Sequence, residues 1–447
     1  MKTYDVIIGG AGVSGLAAAF MFKYTNVRRI AVIEKYPRPA MVNSDPSNNA
    51  QTRHDGSTET NYPPAHTLEV RDAAIVMDHY ILSKNVPGLY RQTTRMAFAS
   101  TAVHCALLRE RFRLIGKYYP DLRLVEGAEE IRKIEPLIMS GRDPSEEVCA
   151  LVTDKGYAIN YQILAECFLE DARKDNPDLD VFFNTEIKHV EIVGEYKVLT
   201  MKSGERMRAK VVLFALGAFS LLFAQQLGFG MNYAIAPISA DFWKITRTIN
   251  GKVYPPQDEG MAFAEVHADP DVRPPFGTRM GPTTKPLPLL ERHNFWSMID
   301  FFRYPIATTR GIRTLYRIFK RKGLLTYVLQ NYAYTIPLLG KWLFLVQKAR
   351  KLVPDLTWRE LTKIKGAGGV RPQVLNLDTL EMEMGDKTLV EGGCIFNSTP
   401  SPGASKSPIN GLRDVKTSVR LLGPDFWFDE ERALRDFGLK NLDAVAA

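Results

Sequence analysis

Three glycines and one acid near the start of the chain have the spacing that dinucleotide chemistry uses. Gly10, Gly12 and Gly15 form a G-x-G-x-x-G run with Ala11, Val13 and Ser14 between them, and Glu34 follows 19 residues past Gly15. In such a run the first glycine makes a tight turn and the second lets a pyrophosphate approach the backbone. The third lets the next helix press against a sheet. The helix N-terminus then presents unpaired N–H groups and a partial positive charge to the phosphates. Glu34 stands where a carboxylate takes an adenosine ribose hydroxyl, which argues against the 2′-phosphate of NADP. The elements that must hold these residues follow in order: an apolar strand at Tyr4, Val6, Ile7 and Ile8, an Ala-rich helix from Leu16 to Phe22, and a second strand from Arg29 to Ile33. A glycine-rich turn in an ordinary α/β unit does not account for Glu34. NAD and FAD share this fingerprint, and its place at the N-terminal edge of a 447-residue chain favours FAD. Gly228-Phe229-Gly230 and Gly366-Ala367-Gly368-Gly369 lack the strand and helix that a second copy needs. With one such site, a flavin must be reduced by a substrate bound elsewhere and reoxidised by an acceptor that needs no Rossmann fold.

The length suggests two domains and a large core. Cys105, Cys149, Cys167 and Cys394 are scattered and form no C-x-x-C pair, which predicts buried, reduced thiols without a disulfide framework or metal site. The chain enters its first strand at once, so no cleaved signal peptide is expected. The net charge of +8 is localised. Eleven Lys and Arg and no acid lie between Phe301 and Lys351. Phe301, Phe302, Tyr304, Tyr316, Phe319, Tyr327, Tyr332, Tyr334, Trp342 and Phe344 are interleaved with them. Basic residues mixed with aromatics and leucines suit an anionic membrane surface, and no nucleic-acid-binding signature accompanies the charge. Gly323 to Gly340 is uncharged for 18 residues, the lower edge of spanning length. Thr326, Gln330, Asn331, Thr335 and Pro337 make it a poor spanning helix, so peripheral attachment is expected.

Along the chain, a Pro-, Asn- and Ser-rich loop leads to the dense polar run Gln51-Thr52-Arg53-His54-Asp55-Gly56-Ser57-Thr58-Glu59-Thr60-Asn61-Tyr62. Helical periodicity is read from His66 to about Leu82, from Met96 to about Tyr118 and from Glu126 to Pro136. Strands are read at Cys149–Val152, Val181–Phe183, Lys188–Ile192, Lys197–Met201 and Val211–Leu216, with a helix at about Tyr161–Arg173. Prolines and aromatics rise from Met231 to about Val353. These readings divide the chain into a discontinuous FAD-binding domain (1–65, 150–230, 360–447), a helical insertion (66–149) and a substrate or cap domain (231–359) that holds the basic segment 301–351.

The pieces together resemble the malate:quinone oxidoreductases, within the wider superfamily of FAD-dependent amino-acid and hydroxy-acid oxidoreductases. The most specific are Gln51-Thr52-x-His54-x-Gly56-x-x-Glu59-Thr60-Asn61-Tyr62 and Thr399-Pro400-Ser401-Pro402-Gly403-Ala404-Ser405. Gly156 to Tyr161, Pro237 to Trp243, His267-x-Asp269 and Gly369-Val370-Arg371-Pro372-Gln373 are also similar to family segments. The chain departs from the pattern at Ala50, Arg53 and Ala218-Phe219-Ser220. The resemblance implies an α/β flavoenzyme whose Rossmann-type FAD domain is of the glutathione-reductase/amino-acid-oxidase type, with a second, α+β substrate-binding domain. It implies oxidation of L-malate to oxaloacetate and electron transfer to a membrane quinone, at the cytoplasmic face of the inner (plasma) membrane. A related enzyme acting on L-lactate or L-2-hydroxyglutarate is the alternative.

Oxidising an α-hydroxy acid requires a base for the hydroxyl proton and a hydride acceptor, flavin N5. Histidine is the default base near neutral pH. His267 is preferred here because Asp269 can orient its ring, with His54 at the flavin edge or the substrate hydroxyl. Arg371, between glycines and Pro372, suits a substrate carboxylate because its planar fork matches that group. Arg53 or Arg279 is the candidate for the second carboxylate of malate, and Glu59 and Tyr62 join the substrate site. Gly10, Gly12, Val13, Ser14, Gly15, Glu34, Lys35, Gln51, Thr52 and Gly217 are expected at the cofactor. Pro402, Gly403, Ala404 and Ser405 are expected there too, the last three bringing backbone N–H groups to the reduced flavin.

Overall fold

The computed structural model describes residues 1–257, 265–321, 323–383, 385–400, 403–439 and 441–442. The opening strand, Lys2–Gly9, is buried from Tyr4 onward. It lies between Ile30–Ile33 and Arg206–Phe214, parallel to both. A central parallel strand has both faces covered and so reads as a nearly continuous apolar run, here broken only by Asp5, which pairs with Arg29. Asp180–Phe182 extends the sheet beyond Ile30–Ile33, and Cys394–Ser398 beyond Arg206–Phe214. The C-terminal part of the chain thus returns to the N-terminal fingerprint. An antiparallel strand, Lys387–Glu391, closes that edge. Ile187–Val193 and Tyr196–Met201 pair with each other, and the second leads into Arg206–Phe214. These strands make eight in the first sheet among the described residues.

Helices Val13–Met21, Tyr161–Asp175 and Ser407–Leu422 contribute to one apolar cluster with the strand residues Val6, Ile8, Val32, Val211 and Leu213. Asn160 caps the second of these helices by accepting from the backbone of Gln162 and Ile163.

A second sheet of ten strands, counted among the described residues, is mostly antiparallel. Its long strand, Tyr233–Ile245, pairs with Val370–Asn376 on one side and Thr278–Pro286 on the other. The sheet continues through His267–Pro270, Lys252–Tyr254, Tyr90–Ala99, Cys149–Ile159 and Arg123–Glu126. Residues 66–149, read from sequence as a helical insertion, therefore supply two strands to this sheet. Met96 to Ala99 belongs to one of them, and the helix there begins only at Ala102. The period-2 signal is hidden because Arg95 to Ala99 are all buried. Residues 150–159 and 361–376 also pair in this second sheet and not with the fingerprint strand. The helix read up to Pro136 spans Ala128–Ile134, and Pro136 opens a further short turn, Pro136–Met139. Short helices from Ser297 to Leu352 lie in the chain between the Thr278–Pro286 and Leu361–Lys363 strands of the second sheet. No helix among the described residues is long and apolar enough to cross a membrane.

Candidate active site

The fingerprint glycines are needed for different reasons. Gly10 has φ +99°, and a Cβ there would stand 2.6 Å from the Ala215 carbonyl oxygen. At Gly15 a Cβ would lie 2.0 Å from the Gly10 carbonyl oxygen, so only glycine lets the helix pack this closely. Gly12 instead faces a cleft of about 440 Å³. The cleft runs past Gly10, Val13, Ser14, Glu34 and Lys35 to Gly217, Pro372, Asn397, Thr399 and Ala404. It thus connects the Rossmann turn with the loops near both ends of the second domain. Glu34 accepts the Ala11 and Tyr36 amides at 2.8 and 3.0 Å. Burial pushes its carboxyl above its ordinary range, and the two amides oppose that rise. Ser44 Oγ accepts the Val13 amide at 3.0 Å, and Lys35 pairs with Glu291 across the cleft rim. These features fit FAD: an acid for the ribose, an open glycine for the pyrophosphate, and a cleft that continues toward the second domain.

At the other end, Ser405 draws two loops together. Its hydroxyl accepts the His54 amide at 3.0 Å and donates to the Thr52 carbonyl at 3.1 Å. Tyr161 Oη donates to the same carbonyl at 2.6 Å. His54 Nδ1 lies 2.7 Å from Glu59 Oε1, and no hydrogen bond joins its Nε2 to any described residue. Burial lowers the His54 pKa, with Glu59 pulling the other way. Burial alone would raise Glu59, but Arg95 and His54 outweigh it and hold the carboxyl below its usual range.

Beneath this pair, the fully buried Arg95 donates to the Arg53 carbonyl and to Ser57 Oγ, both at 2.7 Å, and pairs with Asp55. One side chain therefore fixes the loop that presents His54. No motif in the sequence marked it: Arg95 follows the polar Gln92-Thr93-Thr94, just before the stretch from Met96 onward that reads as helix.

His267 is placed differently. Its Nδ1 lies 3.0 Å from the Glu265 carbonyl and its Nε2 3.2 Å from Asp269 Oδ2, on a buried ring packed at a tilt against Tyr254. Neither nitrogen is open to a substrate hydroxyl. Burial would raise Asp269, but His267 and Lys252 hold it well below the ordinary carboxylate range. Lys252 Nζ joins Asp269 Oδ1 (3.1 Å), Thr52 Oγ1 (3.0 Å) and the Ala50 carbonyl (3.1 Å). The His267-x-Asp269 strand thus braces the 50–54 loop, through a lysine that no motif in the sequence marked.

Arg371 is half-buried, and burial pulls its guanidinium below its ordinary pKa. It makes no hydrogen bond or ion pair with any described residue, and its charge acts on the hydroxyls of Tyr62 and Tyr327. Tyr62 in turn lies within the fields of Glu59 and Arg371. Arg53 corrects the expectation of a second carboxylate cation. Its guanidinium pairs with Asp55 and, at 3.0 Å, with Asp78, and also reaches the Lys155 carbonyl. Arg279 is likewise committed, to the Pro46 carbonyl at 2.9 Å and toward Asp271. The Gln51 carbonyl accepts the Ile159 amide at 2.7 Å, and the Thr52 carbonyl accepts the Ser405 hydroxyl at 3.1 Å. The side chains of Gln51 and Thr52 are tied to Pro46, Asp271 and Val272, and to Tyr254 and Lys252, and are absent from the cleft wall. Gly217 and Ala404 line the cleft, whereas Pro402 lies outside the described residues.

A Rossmann sheet with a cleft of this shape, closed by a largely antiparallel second sheet, defines a two-domain FAD-dependent oxidoreductase. The same fold occurs in the FAD-bound L-α-glycerophosphate oxidase of Mycoplasma pneumoniae (TM-score 0.64, 16% identity, 96% of this chain and 97% of that one). It occurs also in the glycine oxidase of Geobacillus kaustophilus (TM-score 0.64, 16% identity, 94% and 95%). Residues 2–269 match the family model for malate:quinone oxidoreductase, and the chain belongs to that family. It is 33% identical over 437 residues to a probable malate:quinone oxidoreductase of Campylobacter jejuni, covering 95% of this chain and 97% of the relative. To the malate:quinone oxidoreductase of Helicobacter pylori strain 26695 it is 31% identical, over 98% and 99% of the two lengths.

Proposed function

We propose that this chain oxidises L-malate to oxaloacetate and that the electrons pass to a membrane quinone. The observation that carries the chemistry is the His54–Glu59 pair beside the cofactor loop. A proton held on Nδ1 by the Glu59 carboxylate leaves the Nε2 lone pair to take the substrate hydroxyl proton. Because burial lowers the His54 pKa, the imidazole is neutral and ready as a base at neutral pH. Glu59 stabilises the imidazolium that forms, and Arg95 keeps Glu59 ionised. Arg371 grips one malate carboxylate through its two parallel N–H groups, with Tyr62 beside it as a hydroxyl donor. FAD, when bound, supplies the acceptor for the C2 hydride and relays the two electrons onward. His267 and Asp269 position the 50–54 loop in this account, in place of acting as base and orienting group.

The helices Thr309–Phe319, Leu324–Ala333 and Leu339–Phe344 lie in the basic segment, carry Arg310, Arg313, Arg317 and Lys341, and expose Tyr316, Leu329 and Trp342. Lys and Arg beside exposed aromatic and leucine side chains support docking on an anionic leaflet. Peripheral attachment at the cytoplasmic face of the inner (plasma) membrane is the reading they favour. The test is steady-state reduction of a water-soluble quinone by the purified holoenzyme, with L-malate as donor and no NAD. Turnover with malate supports the reading. Turnover only with L-lactate or L-2-hydroxyglutarate would keep the base and change the substrate.

A further inference from the structure

A segment just before the basic helices has one side on the cofactor cleft and the other in solvent. Leu290, Glu291, Asp300 and Arg303 line the cleft, along with Lys35 and Ala218. Between and beside them Phe295, Trp296, Ile299 and Phe302 are exposed, Trp296 to 74%. Both ends of the segment are fastened to the cleft wall. Glu291 is bound by Lys35 and Tyr36, and Tyr304, itself buried, donates to the Ala218 carbonyl at 2.6 Å. Ser297 holds the turn between these anchors: its hydroxyl accepts the Glu291 amide at 3.1 Å and donates to the Asn294 carbonyl at 2.6 Å. The segment is therefore a strap across the end of the cleft where Glu34 stands.

Four exposed apolar side chains on one short stretch need an occupant. The chain that follows carries eleven cations and no acid between Phe301 and Lys351, and this charge points to an anionic bilayer. We propose that residues 290–304 form a lipid-contacting strap whose engagement with an anionic membrane closes the adenosine end of the cofactor cleft and tightens FAD binding. This rests on the membrane reading given above and adds a second role to the docking surface. Binding at coupled sites is reciprocal. If the bilayer tightens FAD, then FAD must tighten the grip on the bilayer by the same factor.

The experiment measures FAD affinity by fluorescence and vesicle partition by sedimentation. The full chain is used, with vesicles of equal parts phosphatidylglycerol and phosphatidylcholine and with phosphatidylcholine alone as control. The anionic vesicles are expected to lower the FAD Kd about tenfold, within the usual range of coupling between sites, and FAD-loaded protein should partition onto them more tightly than FAD-free protein by the same factor. Trp296→Glu, at an exposed position, should lose both effects while binding FAD normally in buffer. Tyr304→Phe should still dock but show a smaller tightening, because its anchor on Ala218 is gone. Protein that sediments with the vesicles at unchanged FAD affinity would overturn the coupling and leave the membrane reading standing. Protein that does not sediment at all would overturn both. A lipid-free dimer dissolved by Trp296→Glu would assign this face to a second copy of the chain and refute the strap's lipid contact.

Discussion

Glu59→Gln tests the base directly. The substitution keeps the shape and an oxygen near His54 Nδ1, now 2.7 Å from Glu59 Oε1, but removes the charge. A hydrogen bond to a charged partner contributes about 1.5–3 kcal/mol. The imidazolium forms only as the proton leaves the substrate, so the loss falls on the transition state. At about 1.4 kcal/mol per tenfold, the rate constant for flavin reduction should drop about ten- to hundredfold. The pH profile supplies an independent sign. Burial pushes the His54 pKa down and Glu59 pulls it up, so removing the carboxylate lowers it further. The acid limb of kcat/KM should lie below pH 6.5 in the parent protein, the ordinary histidine value. It should move to still lower pH in the variant, as the plateau falls. Arg95 retains Asp55 as its partner, so folding should survive, and the visible flavin spectrum would verify cofactor content. Anaerobic stopped-flow reduction from about pH 5 to about pH 9 is the assay. An unchanged plateau with an unchanged acid limb would remove the His54–Glu59 pair from proton abstraction.

Other substitutions separate binding, folding and cofactor retention. Arg371→Ala should raise KM for L-malate about ten- to hundredfold, from the loss of a charge-assisted pair, with flavin content intact; steady-state kinetics at several malate concentrations would check it. Arg53→Ala should act on stability instead, because its guanidinium is buried between Asp55 and Asp78. A cost of about 3 kcal/mol would appear as a lower denaturant midpoint with little change in KM. Gly15→Ala drives a Cβ to 2.0 Å from the Gly10 carbonyl oxygen, so the purified protein should have lost its yellow flavin colour, as its absorbance would record.

The dinucleotide site was legible because its determinants are local. Gly10, Gly12, Gly15 and Glu34 lie within one strand–helix–strand unit, and their spacing encodes the geometry. The proposal for Arg371 rests on similarly local grounds, a guanidinium between glycines and Pro372 at the start of the strand Val370–Asn376. The choice between His54 and His267 was not. It depends on what meets each ring nitrogen, and the Glu265 carbonyl and Asp269 that enclose His267 are assigned only by the fold. Arg53 misled because an arginine beside a candidate histidine resembles a ligand cation, while Asp78, its partner, comes from a helix 25 residues away in sequence. Arg95 and Lys252 escaped notice because both act across elements that only the ten-stranded sheet brings together. The strand Tyr90–Ala99 was partly taken for helix because burial on both faces erased its alternation.

The most direct test of the central claim is anaerobic bleaching of the purified protein's flavin spectrum, titrated in turn with L-malate, L-lactate and L-2-hydroxyglutarate. Rapid bleaching by L-malate is expected, with colour restored by a soluble quinone and not by NAD. A flavin that L-malate leaves oxidised, in protein with full FAD content, would contradict that claim.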